Sequence, residues 1–172
     1  MTHLNIEFKA KTDNSITLEQ KLLSLKPLYI GEDHQKDTYY DVNIGRLKLR
    51  EGNIENALIW YQRENIAGAK QSDILLYKHA PDDALKKILL KVHGIKVIVD
   101  KIRRIYFVEN VKFHFDRVDG LGYFIEVEAI DSTGEIGIEN LKQQCDFYID
   151  FFDIKPTDFM KLSYSDLMLE KH

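Results

Sequence analysis

The 172-residue chain is 44% hydrophobic and 11% aromatic, enough to bury the core of one domain and too apolar for a disordered segment. Charged residues make up 30% of it, yet the formal net charge is only −4, so nothing global favours a nucleic-acid partner. The lone cysteine, Cys145, excludes an internal disulfide, Met1-Thr2-His3-Leu4 has no signal-peptide character, and no apolar run nears the roughly 18 residues of a membrane span; a cytoplasmic protein without a membrane partner is expected.

Over residues 4–11, Leu4, Ile6, Phe8 and Ala10 alternate with Asn5, Glu7, Lys9 and Lys11, the period of a half-buried strand. Ser15 opens a helical pattern with Ile16, Leu18, Leu22, Leu23 and Leu25 near one face, and Pro27 ends it. The polar run 31–36 is expected to be a loop. Strands follow at 38–42, 46–50 and 57–63, separated by the turn signals Asn43-Ile44-Gly45 and Glu51-Gly52-Asn53. A loop at 65–70 leads to a strand at 72–79. Pro81 fits the first turn of a helix over 82–93, closed by Gly94. Two strands, 95–109 and 112–118, precede the turn 119–122 and a strand at 123–130. The pattern is helical over 135–152, where Leu141, Cys145, Tyr148 and Phe152 form one stripe, and 158–169 adds a short final helix or two. The sum is a single α+β domain over residues 1–172. About eight antiparallel strands with outer helices favour a closed or nearly closed β-barrel, because closure removes exposed edges.

Residues two apart on a strand share a face. Arg46, Lys48 and Arg50 therefore project together, as do Tyr61 and Arg63, Lys101 and Arg103, and Lys112, His114 and Asp116. Glu126 and Glu128 form another such face, backed by Ile125 and Val127, and Glu7, Lys9 and Lys11 oppose Ile6 and Phe8. An ordinary solvent face of an amphipathic sheet fits this alternation. So does a barrel with its charges inside and its apolar faces under helices. The near-purely ionic make-up favours the second, since like charges stacked as in Arg46, Lys48 and Arg50 repel unless an anion lies among them. Guanidinium and ammonium groups suit phosphate, and carboxylates beside phosphate call for a bridging hard cation, Mg²⁺ or Mn²⁺.

The segments Asn5-Ile6-Glu7-Phe8-Lys9, Asp37-Thr38-Tyr39-Tyr40, Gly45-Arg46-Leu47-Lys48-Leu49-Arg50-Glu51, Lys101-Ile102-Arg103, Asp116-Arg117-Val118-Asp119-Gly120-Leu121-Gly122 and Phe124-Ile125-Glu126-Val127-Glu128 occur in this order over most of the chain. Together they resemble the CYTH superfamily of class IV adenylyl cyclases, thiamine triphosphatases and inorganic tripolyphosphatases. With Ser163-Tyr164-Ser165-Asp166-Leu167, they are most similar to its cyclase branch. The resemblance implies the triphosphate-tunnel fold, an eight-stranded antiparallel barrel open at both ends, with flanking helices. It implies Glu7, Glu126 and Glu128 as catalytic, metal-holding carboxylates, with Asp116 near them. Lys9, Lys48, Arg50, Arg63, Lys101 and Arg103 are implied to hold the triphosphate. Lys112 and His114 share the strand face of Asp116 and join that substrate set, and Arg46 lies nearer the mouth. One departure stands out: the family's first strand begins Glu-x-Glu-x-Lys, and its first Glu is Asn5 here.

The implied chemistry is metal-assisted attack at phosphorus on a small-molecule triphosphate: ATP, thiamine triphosphate or tripolyphosphate. A cyclase converts ATP to cyclic AMP and pyrophosphate. A hydrolase of the triphosphatase kind is the second reading. A non-catalytic binder of polyphosphate or a triphosphorylated ligand is the third, and Asn5 speaks for it.

Other residues carry less. Cys145 belongs to the apolar helical stripe. His3, His34, His79, His93 and His172 have no metal-ligand spacing. Trp60 is expected to face the helix layer, and one of Tyr39 and Tyr40 to lie in the core. Gly120-Leu121-Gly122 is a turn before a strand, and residues 164–167 a packing or capping segment. Phe151, Phe152, Phe159 and Met160 pack either on the barrel or on a second copy in a homodimer.

Overall fold

The computed structural model describes residues 2–171, with side chains from Leu4 onward; the side chain of His3 and all of His172 lie outside the described part. Eight strands form one closed antiparallel barrel: β1 (Thr2–Lys11), β2 (Leu28–Tyr40), β3 (Arg46–Glu51), β4 (Ala57–Arg63), β5 (Lys70–Lys78), β6 (Ile95–Val108), β7 (Val111–Val118) and β8 (Gly122–Asp131). Around the barrel they run β1-β5-β4-β3-β2-β6-β7-β8. Four helices flank it: α1 (Ser15–Leu23), α2 (Asp83–His93), α3 (Ile138–Phe151) and α4 (Tyr164–Glu170).

The main apolar core lies outside the barrel wall; a second cluster, with Tyr39, Ile59, Tyr61 and Tyr164, borders the cavity. Ile6, Phe8 and Ala10 of β1, Val111, Phe113 and Phe115 of β7 and Ile125, Val127 and Ala129 of β8 point outward and are nearly or fully buried. They meet the α3 stripe Leu141, Cys145, Tyr148 and Phe152, and Leu22 of α1. Burying side chains of this size contributes about 1.5–3 kcal/mol each. A smaller cluster packs Leu89 of α2 on Tyr40 and Leu49. With its outer faces covered in this way, the wall turns the alternate, ionic residues inward. The tail packs on the barrel as well: Phe152 is buried in the main core, and Phe159 meets Phe8 edge-to-face at 5.9 Å. Among the described residues, no helix is long and apolar enough to cross a membrane.

Several expectations are corrected. The run 31–36, expected as a loop, is the first half of β2 and pairs with β6 from Gly31↔Ile105 to Lys36↔Asp100. Its inward residues Asp33, Gln35 and Asp37 are fully buried, so a strand that lines a polar interior reads as a polar loop. The register shift between Tyr29 and Gly31 bends the strand, and Gly31 takes φ +145°, where a Cβ would come within 2.7 Å of Ile54 Cδ1. Pro81 precedes the N-cap of α2 rather than entering its first turn; Asp82 is the cap and accepts from the Ala84 amide at 2.7 Å. Helix α3 starts at Ile138 and not at 135, because the Asp131 carboxylate accepts the amides of Thr133, Gly134, Ile136 and Gly137 and holds that stretch as a loop. Trp60 packs on the turn before β3 instead of a helix: its indole N–H donates to Ile44 O at 2.9 Å.

Candidate functional site

The barrel encloses a cavity of about 670 Å³, within the range of small-molecule sites. Glu7, Lys9, Lys48, Arg50, Arg63, Lys101, Arg103, Lys112, His114, Glu126 and Glu128 all line it. Strand alternation and closure bring these distant segments together. Ile30, Ile54, Ile59, Ile74, Leu76, Phe107 and Ile130 supply apolar wall to the same space. Tyr39 also lines it, while Tyr40 is packed in the core outside. Arg46 lies away from the cavity, paired with Asp166 at 2.9 Å.

The cations are held by anions that alternation alone did not point to. Asp37 accepts Nε and Nη2 of Arg50 at 2.9 and 2.8 Å and Lys101 Nζ at 2.8 Å, and Lys48 Nζ lies 3.1 Å away. Burial pushes the Asp37 carboxyl up, but Arg50, Lys101 and Lys48 overrule it and hold it well below the usual range. Glu55, from the β3–β4 loop, reaches into the cavity to Lys112, to Arg50 Nη1 at 3.1 Å and to Gln35 Nε2 at 3.1 Å. The motif containing Asp37 was visible in the sequence; Glu55 sits in an irregular segment and carried no signal.

Asp116 is engaged by Arg103 and Tyr164. Its Oδ1 and Oδ2 accept Nε and Nη2 of Arg103, both at 2.7 Å, and Oδ2 also accepts the Tyr164 hydroxyl at 2.7 Å. Both oxygens thus orient Arg103, whose Nη2 also lies 3.6 Å from Glu126, while the converging group is His114, Glu126 and Glu128. Residues 164–167 do more than cap. Ser163 and Asp166 form a capping box at the start of α4, and Tyr164 enters the end of the barrel, with Lys9 Nζ 3.6 Å from its ring centre. The Tyr164 ring packs there against Phe124 and lines the cavity.

The carboxylates gather at the meeting of β1, β7 and β8. Glu7 pairs across the ladder with Glu128, and Glu128 with Lys112. Glu7 is bound by Arg63, and Glu126 faces Lys9 at 3.5 Å and Arg103 at 3.6 Å. Ligand atoms of His114, Glu126 and Glu128 lie within 4.8 Å of one another. Burial raises the Glu126 carboxyl, but Lys9 and Arg103 hold it well below the usual range. Glu128 goes the other way: burial first, then the charge of Glu7, push it up to about 7. Asn5 donates its side-chain N–H to Glu128 Oε1.

The sequence model of the CYTH domain matches residues 3–151. The chain belongs to the CYTH family. A relative, "Putative adenylate cyclase MJ0240" of Methanocaldococcus jannaschii, is 27% identical over 136 residues, 73% of this chain and 76% of its own. Among solved structures, the PH1012 protein of Pyrococcus horikoshii superposes with a TM-score of 0.77 at 23% identity, covering 95% of this chain and 98% of that one. The Hippeastrum protein HpAC1 superposes at 0.61 and 14% identity over 98% and 95%; it is described as a "putative adenylyl cyclase" with a "dominant" triphosphatase activity. These likenesses establish the triphosphate-tunnel barrel.

CYTH proteins are generally metal-dependent, and this interior fits a divalent ion. The Asn5 side-chain oxygen and both ring nitrogens of His114 are buried and have no hydrogen-bond partner among the described residues. Buried polar atoms are rarely left so. They border two carboxylates whose oxygens converge, and this donor set suits a hard or borderline cation.

Proposed function

We propose that this chain is a metal-dependent adenylyl cyclase of the CYTH family, converting ATP to cyclic AMP and pyrophosphate. The observation that carries this reading is a single cavity lined by both ionic and apolar side chains. A bare polyphosphate needs only the ionic groups; a nucleoside triphosphate also uses the apolar ones. Lys9, Lys48, Arg50, Arg63, Lys101 and Arg103 grip the triphosphate, and Asp37 and Asp116 hold Arg50 and Arg103 with their forks fixed. The adenosine lies along Ile59, Ile74, Leu76 and Phe107. Glu126 and Glu128, with Glu7 beside them, hold Mg²⁺ or Mn²⁺, which when bound offsets phosphate charge and polarises the phosphorus under attack.

In the reaction the ribose 3′-oxygen forms a bond to the α-phosphorus, the bond from that phosphorus to the bridging oxygen breaks, and the hydroxyl proton passes to solvent. Negative charge builds on the departing pyrophosphate. The fixed cations stabilise that charge where it develops, without having to reorganise.

Hydrolysis of a triphosphate is the second reading, favoured by the triphosphatase activity described for HpAC1. Incubation of the purified protein with ATP, thiamine triphosphate and tripolyphosphate, each with Mg²⁺ or Mn²⁺, separates the two. Cyclic AMP and pyrophosphate in equal amounts are expected. Orthophosphate without cyclic AMP would sink the cyclase and leave the hydrolase. Binding without turnover would leave a triphosphate-binding protein.

A further inference from the structure

We propose that His114 is a nitrogen ligand of the divalent ion, and that this site therefore selects first-row transition ions over Mg²⁺. The inference rests on the metal-dependent reading above and moves His114 from the triphosphate to the metal. His114 projects into the barrel from β7 opposite Glu126 of β8 and is 2% exposed. Its neighbours in the cavity are engaged: Arg103 with Asp116, Lys9 with Glu126, Arg63 with Glu7, Lys112 with Glu55. Neither imidazole nitrogen has a hydrogen-bond partner among the described residues, and Nδ1 stands 4.0 Å from Glu126 Oε1.

An imidazole buried among ions and bonded to none of them is poised for a further partner. Its ligand atom and those of Glu126 and Glu128 already fall within 4.8 Å of one another, close to the spacing of donors on one ion. A phosphate oxygen is the poorer candidate, since it would have to sit on the carboxylates that border the ring. Asn5 sharpens the choice. Its N–H donates to Glu128 and orients that carboxylate, while its own oxygen is left without a partner beside the group. The site thus presents two carboxylates and one nitrogen, with the Asn5 oxygen beside them. Mg²⁺ prefers oxygen and sheds water reluctantly, whereas imidazole raises affinity for Co²⁺ and Zn²⁺ along the usual transition-metal order.

The test uses the full chain freed of metal. Calorimetric titration is expected to give Co²⁺ at least about tenfold tighter binding than Mg²⁺, and H114Q to lower Co²⁺ affinity by about tenfold or more while changing Mg²⁺ affinity less than about threefold. With Mn²⁺ bound to the wild-type protein, pulsed electron paramagnetic resonance is expected to show coupling to an imidazole nitrogen, a readout that needs no variant to fold. Mn²⁺ bound without nitrogen coupling, or equal losses for Co²⁺ and Mg²⁺ in H114Q, would overturn the role of His114 and leave the carboxylate site standing. Failure of every ion to bind would overturn both.

Discussion

Asp37→Asn removes the charge on which Arg50, Lys101 and Lys48 converge, while keeping the side chain's shape and one acceptor oxygen. Asp37 and Lys101 are almost wholly buried, so solvent cannot replace the lost charge. Breaking a buried ion pair from one side costs about 3–5 kcal/mol, and the retained amide oxygen argues for the lower end, about 3 kcal/mol. For a chain of this size each kcal/mol moves the midpoint by about 2–4 °C, so thermal unfolding should fall by about 6–12 °C. Scanning calorimetry measures this directly. A second arm adds tripolyphosphate. With Asp37 neutralised, Lys101 and Lys48 lose their internal anion and Arg50 keeps only Glu55, and the ligand should raise the midpoint by more in the variant than in the wild type. A midpoint within about 2 °C of wild type would refute the reasoning, because it would mean that Asp37 does not hold these cations.

Glu126→Gln keeps the side chain's volume but removes a charge facing Lys9 and Arg103, and metal-dependent turnover should fall by about 100-fold or more; wild-type rates would remove Glu126 from the site. Asp116→Asn should lower the unfolding midpoint by an amount similar to Asp37→Asn, since it strands Arg103, yet leave Co²⁺ affinity within about threefold; a selective loss of metal affinity would return Asp116 to the metal. Glu128, pushed up to about 7, is protonated below neutrality, and a metal must displace that proton. Metal affinity should therefore rise by up to about tenfold per pH unit from pH 5 and level off above 7, as titration calorimetry across that range would show. For the metal-free protein the sign is opposite. The raised folded-state value favours the protonated fold, so the Glu128 contribution to stability is present below the unfolded value near 4.5 and is lost as pH rises through about 7.

Alternation carried much of the site. Once β1, β4, β6, β7 and β8 are strands, period two alone puts Glu7, Arg63, Arg103, His114 and Glu126 on the faces that line the cavity. The ionic purity of those faces favoured inside over outside, the family resemblance decided it, and the packing of Phe113 and Val127 against α3 bears it out. What alternation lacks is pairing. Nothing in Asp116-Arg117-Val118 says that its carboxylate will meet Arg103 across the β6–β7 ladder and Tyr164 from the chain's end. Burial had a similar cost for the first half of β2. Asp33, Gln35 and Asp37 face a polar lumen, so the usual contrast between a wet face and a dry one was missing, and the strand passed for a loop. Glu55 was out of reach for another reason, since a loop residue has no period from which to infer direction.

The main apolar core lies between the wall and the helices, and that separates two kinds of change. A residue on the outer face, such as Phe113 or Leu141, answers to packing, and its replacement is felt throughout the fold. A residue on the inner face answers to charge balance and to whatever occupies the lumen. Swaps there that keep each ion partnered can retune chemistry while the shell that folds the chain stays intact. Such a barrel can exchange one reaction at phosphorus for another without being rebuilt, and Asn5, fully buried and bonded to Glu128, sits on the face where such an exchange would be made.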